Sequence, residues 1–218
     1  MSNTDSRSIR IRSGTKKPGV TFPEWFVVLN GCFPLAILAY DARYHQLGPD
    51  PIRNSLHTTG ALGLLLLMMT LAVSPVRSLT GWNGIVLYRR SLGLVAFLYS
   101  LLHIGIYVVH DQAGEISTAW NEILSRRYLQ VGLVAFGLLV PLAMTSTPTM
   151  IRWLGFRRWK ILHRMAYLAT ALVIIHQYLQ SRIDVRTPVL LAVVLTMLLG
   201  FRLGKAKKKK VSMEQKES

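Results

Sequence analysis

The sequence predicts an all-α membrane protein in which six transmembrane helices form one bundle. Hydrophobic residues make up 51% of the 218 residues and charged residues only 17%, whereas soluble domains carry about 25% charged residues. The charges are also bunched between long uncharged stretches. A soluble nucleic-acid-binding domain with a net charge of +16 would spread that charge over its surface. The bunching of the charges therefore disfavours both a soluble nucleic-acid-binding domain and a soluble enzyme.

Six windows of the sequence contain no Asp, Glu, Lys or Arg. A helix that crosses the hydrocarbon core needs about 20 largely apolar residues, and the second, third and fourth windows satisfy this. The first, fifth and sixth are shorter and can extend through flanking basic residues whose charged ends reach the interface. Six such helices would leave too little polar surface for a soluble fold. The windows are residues 25–40, 54–76, 91–110, 128–151, 165–181 and 187–201.

The distribution of basic residues predicts the orientation of the bundle. If the N-terminus is cytoplasmic, 20 of the 26 Lys and Arg residues lie on the cytoplasmic side, and this bias sets topology. We therefore expect both termini inside, with a disordered basic tail over residues 1–21 and a transmembrane domain over 22–204. Residues 205–218 form a Lys-rich cytoplasmic tail, which we expect to lie near anionic lipid rather than to bind nucleic acid.

Two histidines lie at the same predicted depth in the bilayer. His103 is 12 residues from Ser91 at the cytoplasmic end of the third span, and His176 is 12 residues from Arg164 at the cytoplasmic edge of the fifth, about 18 Å in each case. Ionisable residues within a membrane indicate function by default. Two imidazoles on different helices at matched height suit the axial ligands of a b-type haem. The alternative is that each makes an unrelated polar contact between helices.

Two further histidines are candidate cofactor-binding residues. His163 lies at the cytoplasmic rim, where it could ligate a second cofactor, bind a flavin or quinone, or be an interfacial histidine. A second haem would need a partner near Arg89 or Arg90, which cannot ligate iron, so we expect one haem. His57 lies near the haem depth and could be an alternative ligand or a hydrogen-bond partner for a propionate or quinone. Small residues that would let a haem approach closely are Gly60, Gly63, Gly93 and Gly105.

Six segments of the sequence match those of a known family: GPDPI (48–52), LHTTG (56–60), RRSLGL (89–94), SRRYL (125–129), PLAMTST (141–147) and WKILHRMAYL (159–168). The match covers roughly residues 45–180, with Tyr107, Gly155 and His176 between or after these segments. Through them the chain resembles the MsrQ (YedZ) family, the haem-binding membrane subunits of the bacterial protein-methionine-sulfoxide reductase system. That family has a ferric-reductase-like transmembrane domain.

The resemblance implies a function in electron transfer. Members lie in the bacterial inner membrane, bind haem b, have been associated with FMN, and take respiratory-chain electrons through quinol. They pass these electrons to MsrP, a periplasmic molybdenum-dependent reductase that repairs oxidised methionine. By similarity the haem-associated histidines are His103, His163 and His176. The chain would then be an electron-transfer subunit rather than the catalytic subunit.

Other functions remain open on the residues alone. The nearest is a stand-alone transmembrane reductase of ferric iron or another acceptor. A membrane transporter would show inverted repeats with broken helices, which the sequence does not display. A structural scaffold would contain no haem.

Overall fold

The computed structural model of the chain describes residues 24–181 and 185–217, and within these ranges it contains helices and turns but no strand. The predicted tail over residues 1–21 lies outside the described residues. A short 3₁₀ helix (Asn83–Leu87) precedes α3, and a π-helical turn (Tyr107–Asp111) follows it. The helices are α1 (Glu24–Arg43), α2 (Pro51–Thr80), α3 (Tyr88–Ile106), α4 (Ile116–Ser125), α5 (Arg127–Met144), α6 (Pro148–Leu154), α7 (Phe156–Leu162), α8 (Met165–Gln180) and α9 (Arg186–Glu217).

Local sequence signals determine where α2 begins and ends. Asp50 is its N-cap, and one carboxylate oxygen accepts the backbone N–H of Arg53 at 3.0 Å. Pro51 follows at the first helical position, where its missing N–H costs no hydrogen bond. The helix ends at Gly81, whose φ of 72° is the left-handed conformation that glycine adopts without strain. These caps make α2 longer at both ends than the predicted window of residues 54–76.

The fourth predicted span is interrupted. The window over residues 128–151 predicted one continuous helix, but α5 ends at Met144 and a separate α6 begins at Pro148. Proline disfavours helical conformation in the residue before it, and Thr147 is extended, with φ −81° and ψ 148°. The Thr147 hydroxyl then caps the new helix by accepting the N–H of Met150 at 3.3 Å. Proline is uncharged, so a window defined by the absence of charged residues continues past Pro148 although the helix does not.

Four helical stretches among the described residues are long and apolar enough to cross a membrane: Trp25–Arg43, Pro51–Thr80, Asn83–Asp111 and Arg127–Met144. They correspond to the first four predicted spans and indicate a multi-pass membrane protein. The fifth window coincides with α8, whose 16 residues extend only about 24 Å. The sixth lies within α9, which continues without a break to Glu217, through the segment predicted as a Lys-rich tail.

Two helix pairs form the bundle, α2 with α3 and α5 with α8. Tyr99 on α3 is fully buried between them, and its hydroxyl donates to the carbonyl of Gly31 on α1 at 2.8 Å. Close approach at this crossing depends on Gly63 of α2, because an added Cβ there would lie 3.3 Å from the Cβ of Tyr99. Small residues serve the same purpose in other membrane helix pairs. The central cluster around Tyr99 is Leu66, Leu67, Val95, Ala96, Leu139 and Ala169.

Candidate haem-binding site

The structure brings together the two histidines that the sequence places at one depth. His103 extends from α3 and His176 from α8, and their ring centroids are 6.3 Å apart with the ring planes at 89°. Both side chains are partly buried. The His103 ring is hydrogen-bonded to α2, which packs against α3, and the His176 ring is hydrogen-bonded to α5, which packs against α8.

Each histidine is fixed by a main-chain carbonyl. The Nδ1 atom of His103 lies 3.0 Å from the carbonyl oxygen of Leu56 on α2, and the Nδ1 atom of His176 lies 2.7 Å from that of Tyr128 on α5. A carbonyl oxygen can only accept, so Nδ1 of each ring carries the proton and donates it. The unprotonated nitrogen is then Nε2, the usual state of a metal-ligating histidine whose other nitrogen is hydrogen-bonded in this way.

A glycine four residues after each accepting carbonyl makes these hydrogen bonds possible. In an α-helix the side chain at position i+4 leans toward the N-terminus and lies over the carbonyl of residue i. Gly60 follows Leu56 at this spacing, and Gly132 follows Tyr128. A Cβ added at Gly60 would lie 3.2 Å from the His103 ring, and one at Gly132 would lie 2.8 Å from the His176 ring. The two halves of the site therefore use the same arrangement of carbonyl, glycine and imidazole.

The separation of the rings fits a haem iron between them. Two metal–nitrogen bonds of about 2 Å each, with about 1 Å from each nitrogen to its ring centre, add to about 6 Å. Within the described residues no group of three or more His, Cys, Asp or Glu side chains could hold a bare metal ion. A haem supplies four nitrogens of its own, so two imidazoles complete its coordination.

His163 lies apart from this pair, after α7. The Thr145 hydroxyl donates to the carbonyl of Pro141 at 2.6 Å, so its oxygen accepts from Nε2 of His163 at 3.2 Å. Trp159 packs on the imidazole with ring centroids 4.3 Å apart. Burial and, secondly, the nearby Arg89 guanidinium hold the pKa of His163 below its ordinary value. The ring is therefore neutral at pH 7, with its Nδ1 atom as the unprotonated nitrogen.

His57 is not part of the paired site. Its side chain is exposed, although it directly follows Leu56, whose carbonyl binds His103. Of the glycines expected to allow close approach of a haem, only Gly60 contacts a site histidine, whereas Gly63 packs against Tyr99. A Cβ at Gly93 would come within 4 Å only of Thr70, and one at Gly105 would meet nothing in the described part of the chain. Gly132 was not among the glycines predicted from the sequence.

A polar network adjoins the His176 half of the site. Glu122 on α4 accepts hydrogen bonds from the Tyr107 hydroxyl at 2.8 Å and from the side-chain amide of Gln112, and it pairs with Arg126 at 2.8 Å. Arg126 is the N-cap residue of α5, two positions before the residue whose carbonyl holds His176. Tyr107 also lies in the π-helical turn, a feature common at functional sites. The network ties the end of α3 to the beginning of α5.

Substituting Gly132 by alanine should displace the His176 ring, because the new methyl group would lie 2.8–2.9 Å from two of its atoms. We expect a loss of about 1–3 kcal/mol of stability, typical of overpacking, together with reduced haem content. Gly137→Ala on the same helix is the matched control, since a Cβ there meets nothing within 4 Å. Thermal unfolding and the visible spectrum of the purified variants measure both effects. Equal behaviour of the two variants would contradict the role of Gly132.

Comparison with known proteins identifies the family of the chain. Residues 59–174 match the family described as ferric reductase like transmembrane component. The chain is also 38% identical to a protein of Deinococcus radiodurans, over 79% of this chain and 85% of that protein. It is 39% identical to a protein of Rhodospirillum rubrum, over 82% of this chain and 86% of that protein. It is 37% identical to a protein of Brucella ovis, over 88% of this chain and 86% of that protein. All three carry the name protein-methionine-sulfoxide reductase heme-binding subunit MsrQ. The chain belongs to the MsrQ family.

Proposed function

We propose that this chain is the haem-binding, electron-transferring membrane subunit of a protein-methionine-sulfoxide reductase, with His103 and His176 as the axial ligands of one b-type haem. The observation that carries the proposal is the pair of imidazoles 6.3 Å apart, each with Nδ1 held by a carbonyl. A bound haem would supply a one-electron carrier within the bilayer. The chain's own residues fix the two imidazoles and bury them between four helices.

In this proposal six helices span the bacterial inner membrane, with α8 and α9 as the fifth and sixth spans and both termini in the cytoplasm. In this topology 20 of the 26 basic residues lie on the cytoplasmic side, and this excess supports the orientation. No Asp or Glu occurs between Asp50 and Asp111 or between Glu122 and Asp184. The cytoplasmic loops in those intervals are therefore purely basic. His103 and His176 then lie in the outer half of the bilayer.

Electrons would enter from quinol in the membrane. His163 lies at the cytoplasmic end of α8 with a neutral ring and an unprotonated Nδ1, which suits a hydrogen-bond donor or a second cofactor. FMN is the flavin that the family resemblance suggests for that side. His57, exposed next to Leu56, would meet a propionate or quinone rather than the iron.

Electrons would leave toward MsrP, the periplasmic molybdenum-dependent subunit, which performs the catalytic reaction. The outer loops of the proposed topology carry six basic and six acidic residues, so they have no net charge. Such a surface suits weak, transient docking of a redox partner. The network of Tyr107, Glu122 and Arg126 lies at this end of the bundle and links α4 to the His176 half of the site.

Alanine at His103 or His176 should abolish the low-spin haem spectrum, because each substitution removes one of two axial ligands. His45→Ala, which removes an exposed histidine from the turn between α1 and α2, should leave the spectrum and the haem content unchanged. Reduced-minus-oxidised spectra and the haem-to-protein ratio of the purified chain measure the effect. Exogenous imidazole should partly restore the spectrum of His103→Gly and His176→Gly. Retention of the wild-type spectrum in either alanine variant would refute the assignment.

The physiological role can be tested with purified components in liposomes. Quinol should reduce the haem, and adding MsrP with an oxidised-methionine protein should reoxidise it with repair of the methionine. The His176→Ala chain should support neither step. Haem reoxidation by ferric complexes but not by MsrP would instead favour the stand-alone reductase. A purified chain that contains no haem and cannot be reconstituted would favour a transporter or scaffold.

A further inference from the structure

A shallow cavity of about 400 Å³, open on one side to the protein surface, lies at the end of α2 opposite the paired histidines. It is bounded on one side by the last turns of α2 and on the other by α9. Its lining combines two guanidinium groups, two hydroxyl-bearing side chains and two apolar side chains. The lining residues are Ser74, Pro75, Arg77, Ser78, Phe201 and Arg202.

Two further arginines, Arg89 at the start of α3 and Arg164 just before α8, lie near enough to the Arg202 guanidinium to repel it, although neither lines the cavity. The Arg202 guanidinium is held in place by Tyr167, whose hydroxyl accepts a hydrogen bond from Nη1 and whose ring centroid lies 4.8 Å from the guanidinium carbon. Arg77 is oriented by a hydrogen bond from Nε to the side chain of Asn83 at 2.9 Å. Both lining arginines are thus directed by neutral partners.

No carboxylate in the described part of the chain forms an ion pair with Arg77, Arg89, Arg164 or Arg202. The ion pair between Glu122 and Arg126 lies at the other end of the bundle. Like charges grouped at a membrane boundary repel one another unless an anion lies between them. In the sequence, Lys205 and Lys207–Lys210 follow shortly after Arg202, which lines the cavity. Basic clusters of this kind next to a transmembrane helix recognise anionic lipid.

We propose that this cavity binds an anionic phosphate group. Arg77 and Arg202 would contact the phosphate oxygens, the hydroxyls of Ser74 and Ser78 would complete the polar wall, and Phe201 and Pro75 would contact apolar parts of the ligand. The two sources of this chemistry are an anionic phospholipid of the surrounding bilayer and a soluble phosphate. The site is separate from the paired histidines and does not depend on their role.

The test compares the full-length chain in nanodiscs of phosphatidylcholine with nanodiscs that also contain phosphatidylglycerol, and adds inorganic phosphate to the first set. Thermal unfolding and the number of phosphatidylglycerol molecules retained after transfer to detergent, measured by native mass spectrometry, are the readouts. Stabilisation and retention with phosphatidylglycerol alone would support the site and identify the lipid as its ligand. Stabilisation by inorganic phosphate as well would support the site with a soluble ligand. No effect of either would overturn the proposal.

Arg202→Gln and Arg77→Gln should each reduce retained phosphatidylglycerol about fivefold, since one basic residue near an anionic surface contributes about that factor. Arg152→Gln is the matched control, because it removes the same charge from the end of α6 but does not line the cavity. The haem spectrum of each variant shows whether the bundle has folded. Wild-type retention in both lining variants, or an equal loss in Arg152→Gln, would contradict a specific site and leave only diffuse electrostatic attraction.

Discussion

The site depends on one interaction made twice, an imidazole Nδ1–H that donates to a main-chain carbonyl of a neighbouring helix. His103 donates to Leu56 and His176 to Tyr128. Each carbonyl already accepts its own helical hydrogen bond, so the imidazole uses its second lone pair. That lone pair is accessible because glycine follows four residues later in both helices. The interaction sets the tautomer, and the tautomer determines which nitrogen remains available to a metal.

The architecture follows from this pairing. α2 and α3 form one half of the site and α5 and α8 the other, and in each half one helix carries the histidine and the other the carbonyl. The buried residues around Tyr99 hold the halves together on one side of the histidines, while the Glu122 network connects them on the other. Water is scarce at this depth, so an imidazole without its carbonyl partner would be costly. The helix pairs therefore have to keep their register for either histidine to be tolerated.

Sequence patterns predicted a large part of this arrangement because charge and hydropathy are properties of single segments. The absence of charges located a helix at every window, and counting residues along two spans placed His103 and His176 together. The break before Pro148 is not visible in the charge pattern, because proline is uncharged. Gly132 was missed because its role depends on the rotation of α5 relative to α8, and the chain contains 16 glycines. The signal that could have identified Gly132 is a glycine four residues after an inward-facing carbonyl, on a helix opposite a histidine.

The most direct test of the central claim is low-temperature electron paramagnetic resonance of the oxidised, haem-loaded chain. If His103 and His176 held the iron as proposed, ring planes at 89° would leave the iron dxz and dyz orbitals almost equal in energy, because each ring would interact with a different one. The predicted result is a highly anisotropic low-spin ferric signal with a very large principal g value. A high-spin signal would show that only one histidine binds the iron. An ordinary rhombic low-spin signal would show that the rings lie parallel, and either result would contradict the account.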